Sequence, residues 1–209
     1  MEADRETFSY VIDNNHWYGG AFHFSDERMK NPDKSKNSCL VIGSPIVEAE
    51  NLKLLGWNVV YLDCRTPDNI TFKHVLGDAT AIPFADEEFD AINTTCVLCH
   101  AGMGRYGDNI VPNGDRQMMQ EMYRVLKKGG IVTVMFGPVD TNASETVAVG
   151  TVHRLFSISS ATQLATEAGF EIDETKFWQN CEWHTFAKIN SDPSYPVYLS
   201  ALLSKRESK

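Results

Sequence analysis

Three observations predict an open α/β domain built on a largely parallel sheet. Apolar strand-like runs alternate with helix-like stretches from residue 38 onward, the pattern of βα units. The first run enters a glycine turn, Cys39-Leu-Val-Ile-Gly43, and the second, Val59-Val-Tyr-Leu-Asp63, ends on a carboxylate twenty positions after that glycine. In open α/β folds a carboxylate so placed accepts hydrogen bonds from ribose hydroxyls, and the glycine lets a ligand approach the backbone closely. The last two strand-like runs have no helix between them, which predicts an antiparallel hairpin at one edge.

The elements follow in order. Residues 1–37 are polar and aromatic and read as an N-terminal extension, partly helical and a candidate lid, ahead of a main domain over 38–209. Strands are expected at about 39–43, 58–63, 72–76, 89–96, 131–136, 170–177 and 197–203. A helix is expected over about 46–55. A second, over about 114–126, carries Met118, Met119, Met122 and Leu126 at helical spacing and reads as core packing. It is expected to end in the basic turn Lys127-Lys128 with a glycine stop at Gly129-Gly130. Ser159 is the expected cap of a third helix that runs to Ala168 and stops at Gly169.

The bulk composition narrows the function. A chain of 209 residues suits one domain with a sizeable core. Its formal net charge of −9, with only Lys127-Lys128 and Lys205-Arg206 as basic clusters, argues against nucleic-acid binding, which needs clustered Lys and Arg. No apolar run is long enough to span a membrane, and the first residues lack the pattern of a signal peptide. Five cysteines without a regular framework suit free thiols in the cytoplasm. Oligomeric state is not legible.

Several residues can carry chemistry. Gly77-Asp78-Ala79 follows the third strand, where a carboxylate can accept from an adenine amino group; the alternative is that Asp78 caps a turn. Cys96-Val-Leu-Cys99-His100 is literally the haem-attachment pattern. It lies at the end of the fourth strand, however, no export signal accompanies it, and small buried thiols are the simpler reading. The loop beyond it, His100-Ala-Gly102-Met-Gly104-Arg105-Tyr106-Gly107-Asp108, leaves the carboxyl end of a strand and is the expected substrate loop. His100 is the candidate base, since its ordinary pKa lies near neutrality; a structural histidine bonded to a carbonyl is the alternative. Arg105 either holds an acidic substrate group or pairs with Asp108 or another carboxylate, and Tyr106 helps to orient the substrate. His153 and Arg154 are expected at the rim, and His16, Trp17 and Tyr18 in the N-terminal arm are candidate substrate contacts.

Leu40-Val-Ile-Gly43, Asp63, Gly77-Asp78-Ala79, Ile82-Pro83-Phe84 through Phe89-Asp90, Glu121 through Gly130, and Phe156 through Phe170 together resemble the class I S-adenosylmethionine-dependent methyltransferases. Within that superfamily they look like a poorly characterised, methyltransferase type 11-like branch. The resemblance runs from about 38 to 204. It implies a Rossmann-like sheet of seven mostly parallel strands with helices on both faces, and S-adenosylmethionine as cofactor. It places Gly43 with its neighbour Ser44 beside the methionine moiety, Asp63 with Cys64 at the ribose, and Gly77, Asp78 and Ala79 near the adenine. Thr95 and Cys96 are expected on the methionine side.

The family's first loop usually holds two or three glycines, whereas this one reads Gly43-Ser44-Pro45. The resemblance nonetheless implies an enzyme that methylates oxygen or nitrogen of a small molecule. The competing reading is a methyltransferase-like fold that binds a ligand or partner without catalysis. A nicotinamide dehydrogenase ranks below both, because Gly-x-Gly-x-x-Gly is missing.

Overall fold

The computed structural model describes residues 27–67, 70–179, 182–184 and 197–206. A short helix α1 (Glu27–Lys30) precedes β1 (Ser38–Ile42), α2 (Ile46–Leu54), β2 (Asn58–Asp63), β3 (Lys73–Leu76) and β4 (Phe89–Thr95). Then come α3 (Gly114–Val125), β5 (Leu126–Asp140), β6 (Val147–Val149), β7 (His153–Ser157) and α4 (Ile158–Ala168). β8 (Glu171–Gln179), β9 (Glu182–His184) and β10 (Val197–Ser204) complete the described elements.

The strand order β3-β2-β1-β4-β5-β10-β8 forms the expected seven-stranded sheet, with β9 added beyond β8. β1 to β5 pair in parallel, and β10 runs antiparallel between β5 and β8. β7 adds a two-residue parallel ladder at the end of β5, and β6 folds back on it. The chain runs outward from β1 to β2 and β3 on one side, and returns to β4 and β5 on the other. The order reverses at β1, so a crevice opens beyond the carboxyl ends of β1, β2 and β4.

Both faces of the sheet are covered, which is why β1 is apolar at each position from Cys39 to Ile42 rather than at alternate ones. Leu40 and Ile42 join the core beneath α3 and α4, where Met118, Met119 and Met122 are fully buried. Cys39 and Val41 join the opposite core, beneath α2, with Leu52, Val59 and Tyr61.

Two helix ends differ from expectation for local reasons. α4 is capped by Ser157, not Ser159: Ser157 Oγ accepts from Ser160 N while Ser160 Oγ accepts from Ser157 N, a reciprocal box. The run Ser157-Ile-Ser-Ser160 offers three hydroxyls, and the end of β7 at Ser157 decides which one stands at the cap. Gly169 ends α4 in the left-handed region as expected, at φ +107°.

α3 stops at Val125 without a glycine, because other groups meet its last carbonyls. Glu87 N and Glu88 N donate to Arg124 O and Val125 O, and Lys205 Nζ donates to Tyr123 O and Leu126 O. Gly129 and Gly130 instead lie inside β5, paired with Lys205. β5 outruns the expected 131–136 because β4, β7 and β10 all pair with it.

Candidate active site

A cavity of 790 Å³ occupies the crevice predicted by the strand order, within the range that holds a small-molecule ligand. Gly43, Ser44, Asp63, Cys64, Gly77, Asp78, Ala79, Thr95 and Cys96 all line it, as do His100, Arg105, Tyr106 and His153. The four loops that the sequence marked separately are therefore brought to one place. His16, Trp17 and Tyr18 lie outside the described residues.

Gly43 ends β1 at φ +54°, and a Cβ there would come within 2.9 Å of Val97 Cγ2. The next residue turns its side chain inward. Ser44 Oγ receives Thr95 N at 2.9 Å and Asn93 Nδ2 at 3.3 Å, so Ser44 offers the cavity backbone rather than hydroxyl.

Asp63 is 8 % exposed at the end of β2. It accepts from Arg65 N at 2.8 Å and from the Arg65 guanidinium at 3.3–3.4 Å. Arg65 then lies with its Cζ 4.6 Å from the centroid of the Tyr106 ring. Cys64 Sγ reaches Tyr106 O at 3.6 Å, and burial pushes its thiol up to about 11. The ends of β2 and of the substrate loop thus touch.

Asp78, the expected adenine contact, lines the cavity with its carboxylate already engaged. Oδ1 accepts from Thr80 N and Thr80 Oγ1, and Oδ2 from Asn109 N and Asn109 Nδ2. Four donors fill a carboxylate's acceptor sites. Burial alone would raise its pKa, but these bonds hold it below the ordinary value. Asp78 ties the substrate loop to β3, which leaves the neighbouring backbone and Ala79 to face the cavity.

The substrate loop is tightly built, with Gly102, Gly104 and Gly107 all at positive φ. Asp108 organises it from within, accepting from Gly104 N and Tyr106 N at 3.1 Å each. The expected pairing of Arg105 with a carboxylate does not form: among the described residues no acid lies in ion-pair contact with it. Its Nη1 donates instead to Val152 O at 3.1 Å, and its Cζ lies 5.2 Å from the Tyr106 centroid.

Arg154 is also corrected. It is 8 % exposed and points into the protein, where it donates to Ala101 O at 2.7 Å and pairs with Asp115 at 3.6 Å. It braces the loop from behind, and its neighbour His153 is the one that reaches the cavity.

At the start of α3, a Cβ on Gly114 would lie 2.4 Å from Ala101 O. Gly114→Ala is expected to force the substrate loop away from α3 and to destabilise the fold by about 1–3 kcal/mol. A urea melt superimposable on wild type would refute this close approach.

His100 Nδ1 lies 2.7 Å from Val152 O. A carbonyl only accepts, so Nδ1 carries the proton and Nε2 of the neutral ring keeps a free lone pair. Burial lowers the His100 pKa below its ordinary 6.5; the Val152 carbonyl opposes this, while Arg105 and His153 add to it. The cysteines of the same segment are poor nucleophiles: burial raises Cys96 well above its ordinary value and takes Cys99 to about 12. Among the described residues no group of three His, Cys, Asp or Glu is arranged to hold a metal.

Residues that the sequence did not single out matter here. Glu48 is 2 % exposed and accepts from Asn93 Nδ2 and Thr95 Oγ1, both at 2.7 Å. It anchors the carboxyl end of β4 under the cavity. As an acid in the first turn of a helix it resembles an ordinary surface residue, so no sequence signal marks it. Asn109 was likewise invisible because its partner Asp78 lies on another loop, and Arg65 because the Tyr106 ring it lies against does.

Residues 49–134 match the family described as a methyltransferase domain. That match takes in Asp63, Asp78 and the substrate loop but begins after Gly43. No curated protein gives a significant sequence match.

Among solved structures, the chain is similar to an S-adenosylmethionine-dependent methyltransferase of Methanosarcina mazei. The identity is 16 %, over 83 % of this chain and 94 % of that one, with a TM-score of 0.59. It is also similar to the Burkholderia thailandensis 1,6-didemethyltoxoflavin-N1-methyltransferase, solved with its substrate and S-adenosylhomocysteine. There the identity is 13 %, over 97 % and 90 %, with a TM-score of 0.59. A third is the protein bound to the Haloferax volcanii Trm112 methyltransferase activator, at 12 % identity over 97 % and 96 %, with a TM-score of 0.63. Residues 49–134 thus match the methyltransferase-domain family, and the fold is similar to that of S-adenosylmethionine-dependent methyltransferases of known structure.

Proposed function

We propose that the protein transfers a methyl group from S-adenosylmethionine to an oxygen or nitrogen of a small molecule, with His100 as the proton acceptor. The observation that carries this reading is the convergence of Gly43, Asp63, Ala79 and His100 on one cavity at the sheet's switch point. The residues fit the cofactor. Gly43 presents bare backbone at φ +54°, where Val97 leaves no room for a Cβ, and Asp63 offers a buried carboxylate at the end of β2, with Arg65 as a removable partner. When bound, the cofactor supplies an electrophilic methyl group carried on a sulfonium.

The chain's own residues then have three tasks. Gly43, Ser44, Thr95 and Cys96 shape the methionine side, and Gly77 and Ala79 the adenine side. Tyr106, held against Arg65 and Arg105, closes the wall between ribose and acceptor. His100 accepts the acceptor's proton at Nε2 while Nδ1 stays bonded to Val152 O, so the ring needs no reorientation. Among the described residues no helix is long and apolar enough to cross a membrane.

Calorimetric titration of S-adenosylmethionine and S-adenosylhomocysteine into the protein tests the reading. Micromolar binding, about −8 kcal/mol, supports it, and a folded chain that binds neither would point to a fold that has left catalysis. For the base, kcat/KM against an identified acceptor should rise as His100 deprotonates and level off below pH 7, because its pKa lies under 6.5. His100→Gln should lower kcat about a hundredfold or more and remove that limb. The same depressed pKa acts on stability. The unfolded chain binds the proton more readily, so this contribution is present above pH 6.5 and is lost as pH falls through the folded value.

A further inference from the structure

Resting on the methyltransferase reading, we propose that the acceptor carries an oxyanion, a carboxylate or a phosphate, which Arg105 holds a short spacer away from the atom that is methylated. Three observations carry this.

Arg105 lines the cavity, yet among the described residues no carboxylate lies in ion-pair contact with it. One of its five donors goes to Val152 O. The rest of the planar fork is available to bind two oxygens side by side.

Every acid that lines the cavity is engaged elsewhere. Asp63 is on Arg65, Asp78 on Thr80 and Asn109, and Asp108 on the amides of Gly104 and Tyr106. Among the described residues the Arg105 cation is therefore not neutralised from within the site, in a chain whose net charge is −9.

Val152 O accepts both His100 Nδ1, at 2.7 Å, and Arg105 Nη1, at 3.1 Å. One carbonyl thus fixes the base and the cation relative to each other. The His153 ring stands beside them, with its centroid 6.3 Å from that of His100. An oxyanion on Arg105 would direct a nearby hydroxyl or amine toward His100, and a neutral analogue would lose that alignment.

The test uses the full chain saturated with S-adenosylhomocysteine, titrated with benzoate, phenyl phosphate and benzamide and followed through the histidine ring signals by NMR. Expected is binding of benzoate or phenyl phosphate at least about tenfold tighter than benzamide. Whichever of the two anions binds more tightly names the oxyanion. Arg105→Met should weaken that anion by about tenfold or more, and Arg105→Lys by less, because the charge remains but the fork is gone. S-adenosylhomocysteine affinity should stay within about twofold in both variants, since the proposal puts the guanidinium on the acceptor side.

Equal binding of anion and benzamide, no anion binding to the wild type, or undiminished binding to Arg105→Met would overturn the proposal. So would an S-adenosylhomocysteine affinity that falls about tenfold in Arg105→Met, which would assign the guanidinium to the cofactor's own carboxylate. Absence of S-adenosylhomocysteine binding to the wild type removes the methyltransferase reading and this proposal together. Anion selectivity failing on a chain that does bind S-adenosylhomocysteine removes only this one.

Discussion

Asp63→Ala should weaken S-adenosylhomocysteine binding about a hundredfold, close to 3 kcal/mol, on the proposed placement of the ribose. Two hydroxyl donors to one buried carboxylate would each contribute about 1.5–3 kcal/mol. The expected loss lies at the low end because Asp63 is not bare without ligand. Arg65 donates to it through Nε and Nη2, and the ribose must displace that side chain. Arg65 is mostly exposed, so its release into water is inexpensive, and the backbone bond from Arg65 N to Oδ1 survives the exchange. Arg65→Ala is the informative partner variant. It removes the competitor and should leave affinity equal or higher. Calorimetry on both variants decides the matter: unchanged affinity in Asp63→Ala would place the ribose elsewhere.

Glu48→Ala should destabilise the protein by about 4 kcal/mol and lower its melting temperature by about 10 °C. Glu48 Oε2 is the common acceptor for Asn93 Nδ2 and Thr95 Oγ1. Asn93 in turn accepts from Thr133 Oγ1 at 2.7 Å, so the network joins α2 to β4 and β5 through the sheet. Alanine leaves two buried donors without this acceptor, at about 1–3 kcal/mol each, and adds a small void. Asn93 Nδ2 keeps a longer bond to Ser44 Oγ at 3.3 Å. Glu48→Gln retains an acceptor of the same shape and should stay within about 1 kcal/mol of wild type. Differential scanning calorimetry separates the outcomes, and an alanine variant that melts with the wild type would show the network to be dispensable. Thr95 borders the cavity, so the alanine variant should also bind S-adenosylhomocysteine more weakly than its melting temperature alone would suggest.

The sheet was legible because its evidence is local. β1 and β2 announce themselves as short apolar runs, and Gly43 and Asp63 mark their carboxyl ends. α3 shows its buried methionines at helical spacing. The helix ends were less legible because they depend on what arrives from elsewhere. Lys205 and the amides of Glu87 and Glu88 finish α3, and a reader of residues 114–130 alone assigns that role to Gly129.

The site divides in the same way. The sequence by itself determined which loops line the cavity, since strand ends in an α/β sheet are ligand positions whatever the side chains later do. Only the tertiary structure decided what each side chain does there. Asp78 and Asp108 became loop ties, Arg154 a buried brace, and Arg105 a cavity cation with no ion-pair partner among the described residues. The physical reason is that a hydrogen-bonding group is defined by its partner. Here Asn109 for Asp78, Asn93 and Thr95 for Glu48, and Val152 for Arg105 sit on loops and strands that meet only once the sheet has formed. Periodicity and turn chemistry follow from neighbours in the chain, whereas saturation of a carboxylate or isolation of a guanidinium depends on neighbours in space.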